Sequence, residues 1–218
     1  EEGYPAYLGS RTASFYERAG YVKCLGTDQR YGSLTVIGSV SPPGGDLSEP
    51  VTQNTLRTVK VFWSLEDRLA YARHFPAINW LNSYSLYMDN LFSFFEKEGG
   101  VGFSQDREEA MKILNEESRL EEIVRLVGFE SLSDRDKLIM ETARIIREDF
   151  LIQNAFDSAD TYTSFKKQRK MLEMIINYYR KGLGLLGSGQ NINHILSLPE
   201  KTDLAKAKFI PEDEILET

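Results

Sequence analysis

The chain has 218 residues and a mass of 24.9 kDa; 41% of its residues are hydrophobic and 27% are charged, so it can form a packed core and is not a disordered chain. A net charge of −7 gives no general attraction to nucleic acid, and no apolar run reaches the length of a membrane span, so neither nucleic-acid binding nor direct membrane insertion is expected. A single cysteine, Cys24, excludes an internal disulfide, and with only two histidines it cannot complete a typical structural zinc site.

The first 83 residues alternate short β-branched runs with turn residues, a pattern typical of an α/β region. Strands are expected at residues 21–25, 32–40 and 59–63, a helix at residues 7–19 and a loop at residues 41–46. A doubly wound domain normally has five or more strands, so three strands predict only part of such a sheet.

After Ser83 the hydrophobic period changes from 2 to 3.6, which predicts an all-helical bundle over residues 84–218. All of the net negative charge lies in this second part. The expected helix caps are Ser104, Ser133 and Ser164, and the expected helix ends are Gly128 and Gly182. The residues from Lys208 onward are weakly patterned and are expected to fray.

Two motifs have a structural explanation that outweighs a functional one. Gly182–Gly187 matches the G-x-G-x-x-G pattern of dinucleotide-binding turns, but it follows a helix instead of a strand, so a flexible helix terminus and linker is predicted. His74 is either a general base or a structural residue at the surface, in a turn. Because no second histidine, cysteine or carboxylate lies at a matching spacing, the structural role is favoured.

The most specific pattern is the segment Pro76–Ser85, which reads PAINWLNSYS. It fits P-[SAP]-[LIV]-[DNH]-x-x-x-S-x-S, the signature of rotary ATPase α/β-type subunits, at every specified position. Two further segments agree with it, at residues 3–20 and 39–53. The chain therefore resembles the catalytic A subunit of archaeal A-type and vacuolar V-type ATPases, from Glu1 to about Phe209, and this stretch corresponds only to the last part of the family's catalytic chain.

The resemblance implies a partial RecA-like sheet in residues 1–83, as the C-terminal part of a nucleotide-binding α/β domain, followed by a helical bundle domain in residues 84–218. In the family, a phosphate loop and an acidic residue hold the phosphates and Mg²⁺ of ATP or ADP, and a glutamate polarises the attacking water. These groups precede the matched region. The resemblance therefore implies no catalytic residue, metal ligand or tightly bound cofactor in this chain, and no ATPase activity of the chain by itself.

By the same resemblance, Phe75, Phe156 and Tyr162 form the adenine side of the nucleotide site. An aromatic ring recognises a purine by stacking, which contributes about 1 to 3 kcal/mol per base without any need for charge. Packing in the hydrophobic core is the alternative role for each of the three rings.

A mixed-charge turn between two predicted helices corresponds to the loop that abuts the central rotor stalk in F-type catalytic subunits. That loop reads DELSEED, whereas this one reads ESLSDRD, and Arg135 departs from the acidic pattern. The residues assigned to the stalk contact are Glu130, Ser131, Leu132, Ser133, Asp134, Arg135 and Asp136. From charge alone a solvated loop is the alternative. The resemblance implies a helical domain that moves as a rigid lever and couples rotation to closure of the nucleotide pocket.

The function implied by the resemblance is that of a catalytic A subunit, which alternates with the B subunit in an A3B3 ring and contacts the central stalk. It couples ATP synthesis or hydrolysis to proton or sodium translocation, as a peripheral part of a complex on the cytoplasmic side of the cell membrane. The alternative function is a non-enzymatic helical module that binds a protein partner through its acidic face.

Overall fold

The computed structural model describes residues 3–26 and 28–217. The residues that are not described are Glu1, Glu2, Thr27 and Thr218. The predicted start of the first domain and the predicted end of the second domain therefore lie outside the described residues. The chain divides into an N-terminal unit, Glu1–Phe62 with Ser85–Tyr87, and a helical unit, Trp63–Tyr84 with Met88–Thr218. Within the described ranges, no helix has both the length and the apolar character needed to cross a bilayer.

Short elements make up the N-terminal unit. They are helix α1 (Leu8–Tyr16), strands β1 (Gly20–Lys23) and β2 (Tyr31–Leu34), helix α2 (Pro50–Thr58) and strand β3 (Val61–Phe62). β1 and β2 form an antiparallel pair in which Gly20 faces Leu34 and Lys23 faces Tyr31. A second two-stranded sheet consists of β3 and β4 (Tyr84–Ser85). The predicted fold class, part of an α/β sheet domain followed by an all-helical bundle, is confirmed, and the sheet part consists of two small two-stranded sheets.

The predicted strand at residues 32–40 is wrong beyond Leu34. A Cβ atom on Gly38 would overlap the hydroxyl group of Tyr16, so the chain passes closely along the end of α1 instead of extending the ladder. The loop predicted next contains a single 3-10 turn, Pro43–Gly45.

Hydrogen bonds organise the N-terminal unit more than core packing does. Glu49 caps α2, because its carboxylate accepts from the backbone N–H groups of Val51 and Thr52 at 3.0 and 2.9 Å. Among the described residues of this unit no hydrophobic side chain is buried, and the buried side chains are those of Thr52 and Thr55. The described part of the unit therefore lacks a hydrophobic core.

The helical unit contains helices joined by short turns. Their bounds are α3 (Asp67–Tyr71), α4 (Met88–Gly99), α5 (Phe103–Val127), α6 (Asp134–Ile145), α7 (Ser158–Thr161), α8 (Phe165–Gly187), α9 (Ile192–Leu196), α10 (Glu200–Lys206) and α11 (Glu212–Glu217). α6 continues directly into a π-helical turn, Ile146–Leu151. The core lies between α5, α6, α8 and α9, and its most deeply buried side chains include Leu138, Ile146, Ile176 and Ile195.

Two of the three predicted serine caps are confirmed. Ser133 and Ser164 each accept a hydrogen bond from the backbone N–H three residues later. Ser104 is not a cap, because α5 begins directly after Gly102 and the carboxylate of Glu96 on α4 takes over the capping. That carboxylate accepts from the N–H groups of Gly102 and Ser104 at 2.7 and 3.1 Å. These hydrogen bonds lower the pKa of Glu96.

Of the two predicted helix ends, one is right and one is wrong. Gly128 follows the last residue of α5 with a φ of +85°, but α8 continues past Gly182 to Gly187. Gly182 is buried, and a Cβ atom there would lie 2.9 Å from Cδ2 of Leu138. The glycine therefore permits the close approach of α6 and α8. The motif at residues 182–187 forms the C-terminal end of α8, so the predicted helix terminus is right and the predicted linker is wrong.

The C-terminal residues that the structure describes are packed, so the expectation of fraying is wrong for them. Lys208 is buried, and its Nζ donates to the carbonyl oxygens of Glu148 and Ile152 at 3.1 and 3.4 Å. Ile215 on α11 is also buried. One hydrogen-bonded ammonium group and one buried hydrophobic side chain thus fix this segment to the helical unit, although its hydrophobic periodicity is weak.

Candidate functional site

The signature segment Pro76–Ser85 forms a turn held by its own side chains. Asn79 Oδ1 accepts from two backbone N–H groups within the turn, both at 2.9 Å, and Asn79 Nδ2 donates to Glu66 at 2.6 Å. Ser83 Oγ donates to the carbonyl of Asn79 and accepts from the backbone N–H of Ser64 at 3.0 Å. The specified Asn and Ser positions therefore fix the shape of the chain in this segment.

Phe75 follows the C-terminal end of helix α3. The helix ends in a Schellman motif, in which the N–H of Arg73 donates to the carbonyl of Ala70 at 3.0 Å. The N–H of His74 donates to the carbonyl of Leu69 at 2.9 Å. Arg73 adopts the left-handed conformation that this motif requires, with a φ of +58°. The motif reverses the chain immediately before Phe75.

His74 is buried, so the expected surface position is wrong. Its Nε2 lies 3.1 Å from the carbonyl oxygen of Arg147, so Nε2 carries the hydrogen and donates it. The guanidinium group of Arg147 binds the buried carboxylate of Glu117 on α5, with Nε at 3.1 Å from both oxygens. Burial raises the pKa of Glu117. The residue before Phe75 is thus anchored on the bundle.

Phe156 and Tyr162 lie on a loop, residues 152–163, that follows the π-helical turn and includes the short helix α7. The backbone N–H of Gln153 in this loop donates to the carbonyl oxygen of Phe75 at 2.8 Å. This hydrogen bond joins the backbone at Phe75 to the segment that carries the other two rings.

All three aromatic side chains are exposed, Phe75 by 52%, Phe156 by 100% and Tyr162 by 86%. None of the three rings therefore lies in the hydrophobic core of the described residues. The structure brings the backbone of Phe75 and the loop together, but within the described residues no ring-to-ring contact joins these three side chains. Their assignment to a base-binding site stays a prediction.

The chemistry of these side chains fits one part of a nucleotide. Exposed aromatic faces can stack on an adenine base. No group of three or more histidine, cysteine, aspartate or glutamate side chains in the described part of the chain could hold a metal ion. The three exposed rings are therefore suited to stacking on a planar base.

The predicted stalk segment joins α5 to α6. It begins within a 3-10 turn, Phe129–Ser131, and enters α6 at Asp134. Leu132 is buried, and Ser133 donates to the carboxylate of Asp136 at 2.6 Å as part of the helix cap. The remaining residues of the segment, apart from half-buried Asp136, are exposed: Glu130, Ser131, Asp134 and Arg135. Contact with a partner through these residues stays a prediction.

An apolar surface beside this segment was missed by the sequence pattern. It consists of Ile123, Leu126, Val127 and Phe129, which are all exposed and are called the apolar tip below. The period of 3.6 residues places Ile123 and Val127 on the same side of α5 as the buried Leu120, and both are nevertheless exposed. Leu126 is a further exposed apolar residue in this part of the helix.

Matches to two family models define a class: part of a nucleotide-binding domain followed by a C-terminal domain, which is helical here. Residues 1–85 match the family model described as the ATP synthase alpha/beta family, nucleotide-binding domain. Residues 93–195 match the model described as the C-terminal domain of V and A type ATP synthase.

Relatives match over nearly the whole chain. The V-type ATP synthase alpha chain of Acetivibrio thermocellus is 56% identical over 215 residues, which is 99% of this chain and 36% of the relative. The A subunit of the A-type ATP synthase of Methanopyrus kandleri is 56% identical over 217 residues, which is 100% of this chain and 37% of the relative. Among solved structures, a "unique ATP synthase subunit NeqB" from Nanoarcheaum equitans is 26% identical with a TM-score of 0.67, over 82% of this chain and 41% of that chain.

The chain therefore belongs to the family of V-type and A-type ATP synthase alpha or A subunits, and the resemblance found in the sequence is confirmed. It spans little more than a third of the length of the sequence relatives it matches, 36% and 37% for the two described above.

Proposed function

We propose that the chain supplies the adenine side and the helical lever of the catalytic A subunit of a rotary ATP synthase. The observation that carries this proposal is the 56% identity to alpha and A subunits over almost the entire chain. The full-length protein binds ATP or ADP with Mg²⁺, alternates with the B subunit in an A3B3 ring, and couples ATP synthesis or hydrolysis to proton or sodium translocation. It belongs to a peripheral part of a complex on the cytoplasmic side of the membrane.

In this proposal Phe75, Phe156 and Tyr162 bind the adenine base. Two observations support the assignment: the rings are exposed, and the hydrogen bond from Gln153 to Phe75 ties their two segments together. Rings on an anchored backbone lose little conformational entropy when a ligand binds, so more of the stacking energy appears as affinity. The chain contributes binding and orientation of the base and no chemical step at the phosphates.

Ring removal tests the adenine assignment. In the full-length protein within its assembled complex, Phe156→Ala and Tyr162→Ala are each expected to weaken ADP binding by about 5- to 150-fold, which corresponds to the 1 to 3 kcal/mol of a stacked base. Tyr71→Ala removes a similarly exposed ring from α3 and is the matched control, with no expected effect. Equilibrium titration with ADP makes the measurement, and unchanged affinity in both ring variants would contradict the assignment.

The chain by itself is proposed to have no ATPase activity. Its sequence contains no G-x-x-x-x-G-K-[ST] phosphate loop, so only the stacking contacts remain and ATP should bind no better than about millimolar. Calorimetric titration of the chain with ATP tests this. Micromolar, magnesium-dependent binding would show that phosphate contacts exist in the chain after all.

The helical lever is proposed to contact the central stalk through Glu130–Asp136 and the adjoining apolar tip. Contiguous exposed apolar side chains on a surface are typical of protein contacts. The segment carries charges of both signs, and Lys137 pairs with Glu130 at 2.9 Å. A steric and apolar contact is therefore better supported than a purely acidic one.

Pull-down with the proteins of the central stalk tests the lever. Leu126→Asp places a charge on the apolar tip without touching the core, and it is expected to reduce stalk binding at least tenfold. Val101→Asp changes a similarly exposed apolar residue elsewhere in the helical unit and is the matched control. If Leu126→Asp binds like the unchanged protein, the tip is not part of the contact.

A non-enzymatic module that binds a protein partner is the second candidate, and the apolar tip favours it because that surface needs no nucleotide. The two candidates differ in one result. A pure interaction module would retain both partner binding and the ATP turnover of the assembled complex after all three aromatic rings are replaced.

A further inference from the structure

The loop that carries Phe156 and Tyr162 combines exposed rings with a firmly bonded backbone. Asp157 caps α7 by accepting from the N–H groups of Ala159 and Asp160 at 2.9 and 3.1 Å. A loop that presents two large rings to solvent normally gains entropy by moving. Here several of its backbone N–H groups are paired, so the loop's own hydrogen bonds fix the backbone that carries the rings.

Asp160 lies at the centre of these bonds. It is 3% exposed, and its Oδ2 accepts from the backbone N–H of Asn154 at 2.6 Å. Its carbonyl oxygen accepts from Thr163 Oγ1 at 2.7 Å. The carbonyl of Asn154 in turn accepts from Thr161 Oγ1 at 3.1 Å. The side-chain bond of this residue therefore closes the loop across Phe156.

Lys167 fixes the same loop to the bundle. Its buried Nζ donates to the carbonyl oxygens of Ala159, Lys208 and Ile210 at 2.7, 2.7 and 2.8 Å. Burial lowers the pKa of Lys167, whereas the charge of Asp160 favours its protonated form. A buried ammonium that donates three hydrogen bonds has no donor left over, so its role is to hold these carbonyl groups in place.

We propose that Asp160 is a positioning residue for adenine-nucleotide binding: its buried carboxylate holds the loop so that Phe156 and Tyr162 meet the base, and it does not touch the nucleotide itself. This inference rests on the proposed function. Asp160 acts through Asn154 and the loop backbone, so its loss should affect recognition of the base and leave recognition of the phosphates unchanged.

The experiment uses the full-length protein in its assembled complex, with ADP and inorganic pyrophosphate as the two probes. Asp160→Ala is expected to weaken ADP binding about tenfold. It is expected to leave the inhibition of ATP turnover by pyrophosphate unchanged. Asp160→Asn keeps an oxygen that can accept from the Asn154 N–H, so it is expected to recover most of the ADP affinity. Asp203→Ala, which removes an exposed carboxylate on α10, is the matched control and should change neither probe.

Three results with the Asp160 variants would overturn the inference. One is equal weakening of ADP and pyrophosphate in Asp160→Ala, which indicates general damage to the protein. Another is an Asp160→Asn variant as weak as Asp160→Ala. The third is unchanged ADP affinity in Asp160→Ala while Phe156→Ala and Tyr162→Ala still weaken it, which overturns the role of Asp160 and leaves the adenine assignment intact. If the ring variants themselves bind ADP normally, the adenine assignment fails and this inference fails with it.

Discussion

The two units of the chain are stabilised in different ways. In the helical unit, side chains such as Leu138, Ile176 and Ile195 are completely buried in one core. In the N-terminal unit, apolar residues such as Leu25 and Ile37 are exposed, and no described hydrophobic residue is buried. The comparison teaches that capped helices and a short hairpin can be specified by local hydrogen bonds, whereas a self-sufficient domain needs a core. We expect the rest of a nucleotide-binding domain to cover the apolar side chains of the N-terminal unit.

The sharpest test of this contrast removes one apolar side chain from each unit. Leu138→Ala in the core should lower the free energy of unfolding of the helical unit by about 2 to 5 kcal/mol, because it leaves a cavity between α6 and α8. Ile37→Ala removes a comparable side chain from an exposed position and should change stability by less than about 0.5 kcal/mol. Urea unfolding followed by circular dichroism compares the two. A large decrease in the free energy of unfolding of Ile37→Ala would contradict the absence of a hydrophobic core among the described residues of the N-terminal unit.

A smaller effect is expected from two glycines on the same helix. Gly182→Ala should destabilise the helical unit by about 1 to 3 kcal/mol, since the added Cβ meets the buried Leu138 side chain. Gly184→Ala meets nothing within 4 Å, and it should stabilise the helix by about 0.5 to 1 kcal/mol. Thermal unfolding of both variants makes the measurement. If both variants change stability in the same direction, α6 and α8 are not in close contact at Gly182.

The smallest expected effect concerns the N-terminal unit and its dependence on pH. A hydrogen bond from Tyr4, with those from Val51 and Thr52, lowers the pKa of Glu49 to about 2. Because the folded form binds fewer protons than the unfolded form, the cap stabilises α2 fully above the ordinary pKa of glutamate and loses this contribution as the pH falls through about 2.

Amide hydrogen exchange in α2 between pH 5 and pH 2 tests this dependence. Glu49→Gln should remove the extra protection at pH 5 and flatten the change on acidification. Glu17→Gln, which neutralises an exposed glutamate in the same unit, controls for the loss of one charge. An unchanged acid dependence in Glu49→Gln would mean that the cap does not order α2.

Features set by neighbouring residues could be predicted from the sequence. The caps Ser133 and Ser164 depend on a hydroxyl and an N–H three residues away, and both are read directly from the chain. Gly128 is likewise recognised at the end of a periodic segment. The signature from Pro76 onward is likewise recognised in one short segment of the chain, where Asn79 and Ser83 hydrogen-bond to nearby backbone groups.

Features set by distant residues could not be predicted in this way. Gly182 has the same sequence signal whether it ends a helix or permits close packing, and only Leu138 on another helix decides between them. The cap of α5 comes from Glu96 on α4. The bond between Gln153 and Phe75 joins residues far apart in the chain, so the sequence could identify the rings by resemblance but could not show how their segments meet.

The central claim is that Phe75, Phe156 and Tyr162 surround the adenine base in the full-length protein. The most direct measurement is photolabelling of the assembled complex with an adenine nucleotide that carries an azide on the base, followed by mass spectrometry of the labelled peptides. The account predicts label within residues 73–77 and 154–163, and its loss when excess ADP is present. Label confined to peptides outside these two segments, displaced by ADP in the same way, would contradict it.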